Sequence, residues 1–220
     1  MQNKELEWAH VYHDSIRGCP WLESLPLNVG RWAGTYALFY ILNRILRDYR
    51  PSSIVETGLG ESTKFISTFL EHELKDSRHV AIEQSADWKD AFQQRFQLSD
   101  RVTIDVCELT EKKVKGHTYN CYDGIEKFSD RKFDLYLIDG PLGSDHYSRY
   151  DMVQLAQPLT SDDEFIFLID DMERPGEKES VSDLLELFEK KGIKVHKGTY
   201  SGNATLLAVC TEKYRYATTL

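Results

Sequence analysis

The chain has 220 residues, enough for one domain with a full core, since folding at this size buries roughly 70% of the unfolded surface. Lys and Arg number 27 against 36 Asp and Glu, and the resulting net charge of -9, with no basic block or Lys/Arg-rich helix, argues against a nucleic-acid ligand. The opening MQNKELEWAH carries no signal-peptide pattern, and the longest apolar stretch, 32–42, is interrupted by Gly34 and closed by Arg44, so the expectation is a soluble, cytoplasmic protein without a membrane segment.

Residues 1–29 read as an N-terminal cap or extension ahead of a single domain over 30–220. Pro20 and Pro26 break any long helix there, and Trp8 and Trp21 suggest a segment that packs onto the body. His10 and His13 share one helical face, but no cysteine or carboxylate pattern completes a metal site, so a solvated pair is expected. Over 31–49, Leu38, Ile41, Leu42, Ile45, Leu46 and Tyr49 recur at helical spacing, which predicts an amphipathic helix ending before Pro51.

Alternating units follow: strand 53–57 with helix 62–74, strand 79–83 with helix 87–96, then strand 101–107 and a polar connection. Strand 133–139 leads through a loop to a helix near 148–157, and strand 164–170, helix 177–191 and two closing strands near 193–199 and 203–210 complete the chain. This alternation predicts an α/β fold: a Rossmann-like, doubly wound, mostly parallel seven-stranded sheet with helices on both faces. Cys19, Cys107, Cys121 and Cys210 form no CxxC and no zinc spacing and are expected to be reduced and half-buried.

Four apolar runs end in acid: SSIVE at Glu56, HVAIE at Glu83, FDLYLID at Asp139, and EFIFLIDD at Asp170 and Asp171. Parallel strands buried on both faces read as continuous apolar runs, and ligands bind beyond their carboxyl ends, so these acids are placed to face a ligand. Gly58 and Gly60 join the first strand to the first helix of the alternating units, allowing a tight turn and close approach of a ligand. The helix N-terminal amides with the Ser62 and Thr63 hydroxyls favour a carboxylate or phosphate. Thr63 stands where the dinucleotide fingerprint has its third glycine, which weakens a nicotinamide reading. Glu83, 23 residues past Gly60, is placed to accept from ribose hydroxyls. Trp88, at a helix start, is expected in the core.

Through VETGLGEST, VAIEQSADW and FDLYLIDGP, in that order, the chain resembles the class I S-adenosylmethionine-dependent methyltransferases over roughly residues 30–210. The resemblance implies that Glu56 and the Gly58/Gly60 loop hold the methionine part of the cofactor and Glu83 the ribose. It places the adenine after the third strand, with Cys107, Glu108, Tyr122 and Asp123 as candidates and Asp123 preferred. The motifs DGPxG, RY and DDxxR look like the subgroup found beside glycan and secondary-metabolite genes, which implies O-methylation of a small polar acceptor such as a sugar.

Asp139 and the Asp170-Asp171 pair end adjacent predicted strands, and three such acids at close range cannot all stay ionised without a cation. A divalent ion such as Mg2+ with oxygen ligands would relieve the repulsion, and the pattern is similar to metal-dependent catechol and macrolide-sugar O-methyltransferases. Gly140-Pro141 redirects the loop and leaves open that Asp139 faces cofactor or acceptor instead. A hydroxyl acceptor needs a base, for which Asp139 and His146 are the candidates, with Asp145 as a substitute. Tyr147, Arg149, Tyr150 and Arg174 are candidates to line the acceptor pocket, and Glu177 either closes over it or caps the next helix. The partner expected is a small-molecule acceptor, with a homodimer left open. The competing readings are a nicotinamide-dependent oxidoreductase and a nucleoside-binding scaffold without transfer chemistry.

Overall fold

The structure, a computed structural model, describes residues 2–30 and 33–220. Arg31 and Trp32, which open the predicted helix, and Met1 lie outside the described residues. The N-terminal segment forms helix α1 (Gln2–Ser15) and one further turn, α2 (Pro20–Glu23). Tyr12 and Ile16 are buried in the same cluster as helix α3 (Tyr36–Asp48), whose stripe of Leu38, Ile41, Leu42, Ile45 and Leu46 is fully covered, as its spacing predicts. The α3 helix starts at Tyr36 because the Thr35 hydroxyl accepts from the Leu38 amide, an N-cap that satisfies one orphan donor. His10 and His13 lie exposed on α1, as expected of a solvated pair.

Next come β1 (Ser53–Thr57), α4 (Glu61–His72), β2 (Arg78–Glu83), α5 (Ala86–Arg95) and β3 (Val102–Val106). A hairpin of β4 (Leu109–Val114) and β5 (His117–Tyr122) follows, then β6 (Leu135–Ile138), α6 (Asp151–Leu155), β7 (Ile166–Ile169), α7 (Pro175–Lys190), β8 (His196–Ser201) and β9 (Thr205–Cys210). The main sheet has seven strands in the order β3-β2-β1-β6-β7-β9-β8; the first five in this order run parallel, and β9 is antiparallel to both of its neighbours, β7 and β8. Strands β6 and β7 are covered on both faces, which explains their unbroken apolar sequence. One face of the sheet packs on α1, α3 and α4 and the other on α6 and α7, giving two core clusters. All four cysteines are buried and free.

The polar connection expected after β3 is instead the β4–β5 hairpin, a separate two-stranded sheet. Its two-residue turn is Lys115-Gly116, with φ of 49° and 88°, the double left-handed geometry of the tight hairpin turns that match strand twist. Charged Glu111, Lys112 and Lys113 hide the strand in the sequence. The helix expected over 148–157 shortens to α6, because Tyr147 and Arg149 turn left-handed (φ 47° and 55°) immediately before it.

Asp151 is fully buried at the start of α6, where one carboxylate oxygen accepts from the Tyr122 amide (3.3 Å) and the other has no partner. Burial pushes this carboxyl up to about 7. A carboxyl raised above its unfolded value of ~3.9 stabilises the fold fully below that value and loses the contribution as pH rises through the folded value. Asp151→Asn should therefore gain on wild type by roughly 3 kcal/mol between pH 4.5 and 7.5 in chemical denaturation. Parallel stability curves for the two proteins would contradict this assignment.

Candidate active site

Strand β1 lies between β2 and β6, where the direction of chain winding reverses, and the crevice beyond its carboxyl end is the expected ligand position in such sheets. A cavity of about 260 Å³ opens there, approaching the size of small-ligand clefts. It brings together Glu56, Gly58, Gly60, Ser62 and Glu83 from the β1 and β2 side with Asp139, Arg149, Asp170, Asp171 and Arg174 from the β6 and β7 side. Among the described residues, six carboxylates, the sixth being Glu61, line it against two guanidiniums. That excess favours a cationic ligand over an anionic one.

At the floor, two backbones nearly touch. The Thr57 hydroxyl accepts from the amides of Asp139 and Gly140, both at 3.2 Å, and locks the β6 loop against β1. A Cβ on Gly140 would collide with the Tyr122 hydroxyl and crowd the Gly58 amide at 3.0 Å, so only glycine fits. This puts Tyr122, one of the adenine candidates, on the cavity wall; Cys107, Glu108 and Asp123 are not on it. Asp123 is exposed, with its amide donating to the Glu108 carbonyl at 2.8 Å.

Glu56 is almost completely buried and acts first as a hub for the glycine loop. It accepts from the Ser62 and Thr63 hydroxyls, the latter at 2.7 Å, and lies 3.1 Å from His79 Nε2. Thr63 in turn accepts from the Gly60 amide at 3.1 Å. This corrects the expectation for the two hydroxyls: they are spent on Glu56, and Thr63 is buried behind the loop, so neither is free to donate to a ligand anion. His79 was not legible as part of the site, since it sits inside the apolar run HVAIE.

Glu83 is aimed at the loop from β2. One oxygen accepts from the Leu59 amide (3.1 Å) and the other from Ser85 (2.8 Å), and burial, partly offset by these amides, raises its carboxyl above the usual range. Trp88 is not core as expected: it is 43% exposed, and its Nε1 donates to the Leu59 carbonyl at 2.8 Å, bracing the loop from outside.

Across the cavity, Arg149 is 4% exposed and organises the acids. Its Nη2 lies 2.6 Å from Asp171 Oδ2 and 3.1 Å from Asp139 Oδ1, and Nη1 donates to the Asp170 carbonyl at 3.1 Å. Arg174 Nη1 adds a 3.0 Å pair to Asp171. Glu177, buried below, accepts from the Ser148 hydroxyl at 2.9 Å and lies 3.9 Å from Arg149 Nε. Burial pushes Asp139 up to about 7 against the pull of Arg149, with Asp170 and Asp171 adding repulsion; burial and Asp171 push Asp170 up to about 6. Asp139 still presents a third of its side chain to the cavity.

The expected divalent metal does not fit this arrangement. The guanidinium of Arg149 already spans Asp139 and Asp171, and among the described residues no group of three or more His, Cys, Asp or Glu side chains could hold an ion. Of the residues expected to line the acceptor pocket, Arg149 and Arg174 do face the cavity, whereas the loop after β6 turns Tyr147, Tyr150 and the candidate base His146 away from it. His146 faces outward, its Nδ1 bonded to Glu179 at 3.0 Å beside His117, which removes it as the base. Tyr147 packs near His117, the Tyr150 hydroxyl donates to Asp183 at 3.1 Å, and Asp145 is exposed; none of these lines the cavity. Tyr147 and Arg149, both left-handed, leave the loop in opposite directions, Tyr147 towards His117 and Arg149 into the cavity.

No protein-family model matches the sequence, and no curated protein matches it. Solved structures do match in fold. An O-methyltransferase from Bacillus cereus, in complex with S-adenosylhomocysteine, superposes with a TM-score of 0.52 at 17% identity, covering 92% of this chain and 91% of that one. A methyltransferase from Geobacter sulfurreducens gives 0.50 at 15% identity, covering 94% and 89%. The seven-stranded sheet with its antiparallel edge pair and helices on both faces is thus the Rossmann-like fold of these solved methyltransferases.

Proposed function

We propose that the protein is an S-adenosylmethionine-dependent methyltransferase that methylates a hydroxyl of a small polar acceptor. The observation that carries the reading is the six-to-two excess of carboxylates over guanidiniums, among the described residues, around the cavity at the switch point. A sulfonium cation is favoured there, whereas the pyrophosphate of a nicotinamide dinucleotide would meet Glu56 and Glu61 at the helix start it would need. The fold shared with solved methyltransferases supports the same choice.

In this reading Glu83 holds the ribose hydroxyls, while the Gly58–Gly60 loop lies along the methionine part. Asp139, on the opposite wall and open to the cavity, receives the acceptor hydroxyl's proton as oxygen attacks the sulfonium methyl in line. The methyl passes to oxygen, the C–S electron pair returns to sulfur, and the proton ends on the Asp139 carboxylate. Burial helps by holding that carboxyl near 7, matched to a proton acceptor working near neutrality.

Two expectations test this. With methyl-labelled S-adenosylmethionine and a panel of sugars and other hydroxylated acceptors, kcat/KM should climb as pH rises through about 7, where Asp139 ionises. Asp139→Asn should lower it by ~10²–10⁴-fold while S-adenosylhomocysteine affinity stays within a few-fold. Wild-type turnover in that variant would remove Asp139 from the chemistry. Glu83→Gln should weaken S-adenosylhomocysteine binding by about tenfold or more in calorimetry, and unchanged affinity would place the ribose elsewhere.

A further inference from the structure

Sheet-end acids this close demand a cation, and the chain supplies one of its own. The Arg149 guanidinium touches the carboxylates of Asp139 and Asp171 with a single nitrogen and the Asp170 backbone carbonyl with another, so one side chain bridges the acids that end both strands. It is 4% exposed and enters from below the cavity, held there by a loop in which Tyr147 and Arg149 are both left-handed. Asp171, its closest partner, is left-handed as well, with φ of 61°. Non-glycine residues in this region are strained, and both partners of this ion pair lie in it.

We propose that Arg149 is the resident cation of this site, balancing the charge that a divalent ion would otherwise have to balance, so that cofactor binding and transfer at this cavity need no metal. The proposal rests on the methyltransferase reading for its consequence but not for its geometry. Arg149 is a positioning residue: it bridges Asp139 and Asp171 and offsets their repulsion while leaving Asp139 open to the acceptor. A fixed guanidinium differs from a metal in one chemical respect. It donates hydrogen bonds and has no open coordination position, so the acceptor hydroxyl is oriented by Asp139 alone and is not ionised by ligation to an ion. Asp170 Oδ1 is buried and without a partner, so removal of the guanidinium would leave Asp139, Asp170 and Asp171 without the cation that now balances their charge.

The test is calorimetric titration of Mn2+ into the purified chain, with and without S-adenosylhomocysteine, in wild type and in Arg149→Met. Wild type should give no saturable Mn2+ binding below about 1 mM, the weak end of natural divalent sites, and its S-adenosylhomocysteine affinity should be the same within twofold in EDTA. Arg149→Met should acquire one Mn2+ at least tenfold tighter than wild type, and the added Asp139→Asn change should abolish it. A purely structural arginine would give no such gain. One Mn2+ bound by wild type and lost in Asp139→Asn overturns the proposal, as does a folded Arg149→Met that gains no metal. Should Arg149→Met fail to fold, the wild-type Mn2+ and EDTA measurements decide by themselves. Absence of S-adenosylhomocysteine binding in every arm would instead strike the methyltransferase reading, while the Mn2+ results would still decide the role of Arg149.

Discussion

Four carboxylates, Asp139, Asp170, Asp171 and Glu177, crowd the ends of β6 and β7 and the start of α7, and the structure depends on how their charge is balanced. Arg149 does this from a nearly buried position, and Arg174 assists from the rim. A desolvated charge without a partner would be expensive, and removal of this guanidinium would leave several. Much of the surrounding backbone follows from the need to deliver it: the left-handed residues at 147, 149 and 171, the late start of α6, and Ser148 bound to Glu177 beneath the fork. The same loop geometry that drives Arg149 inward carries His146 and Tyr150 outward.

The opposite wall is built by closeness of backbones. Thr57 ties β1 to the start of the β6 loop, Gly140 lets Tyr122 and Gly58 approach, and Glu56 draws the start of α4 down through Ser62 and Thr63. The glycine loop is fixed from three sides, by Glu56 beneath, Glu83 from β2 and Trp88 from α5. The N-terminal segment joins this rim: Glu5 accepts from the amides of Tyr36 and Asn203, at 2.8 and 2.9 Å, and so links α3 to the turn between β8 and β9. A cleft so braced holds its charges at set distances before any ligand arrives, which is the condition for electrostatic preorganisation.

The architecture was legible because strands such as LYLI and IFLI, buried on both faces, write themselves as apolar runs, and because acids at their ends break the pattern where the cavity lies. Glu56, Glu83, Asp139, Asp170 and Asp171 were found in this way. The β4–β5 hairpin was not, because Glu111, Lys112 and Lys113 mask β4, the buried Tyr119 and Cys121 of β5 stand among polar residues, and the Lys-Gly turn is not the usual Asn-Gly. His79 and the bracing role of Trp88 escaped notice since one hides in a strand and the other follows a helix cap. The cation was read as missing when it was present: the sequence displays Arg149 and the acids far apart, and only the loop's left-handed turns bring them together. Spacing alone carries no sign of those turns.

The central claim is that an acid-walled cavity at the switch point selects a sulfonium nucleoside. Calorimetric titration of the wild-type chain with S-adenosylmethionine, S-adenosylhomocysteine and NAD, in one buffer, tests it most directly. The account predicts micromolar binding of the first two at one site per chain and no measurable heat with NAD. Binding of NAD in preference to S-adenosylmethionine, or silence from all three, would contradict it.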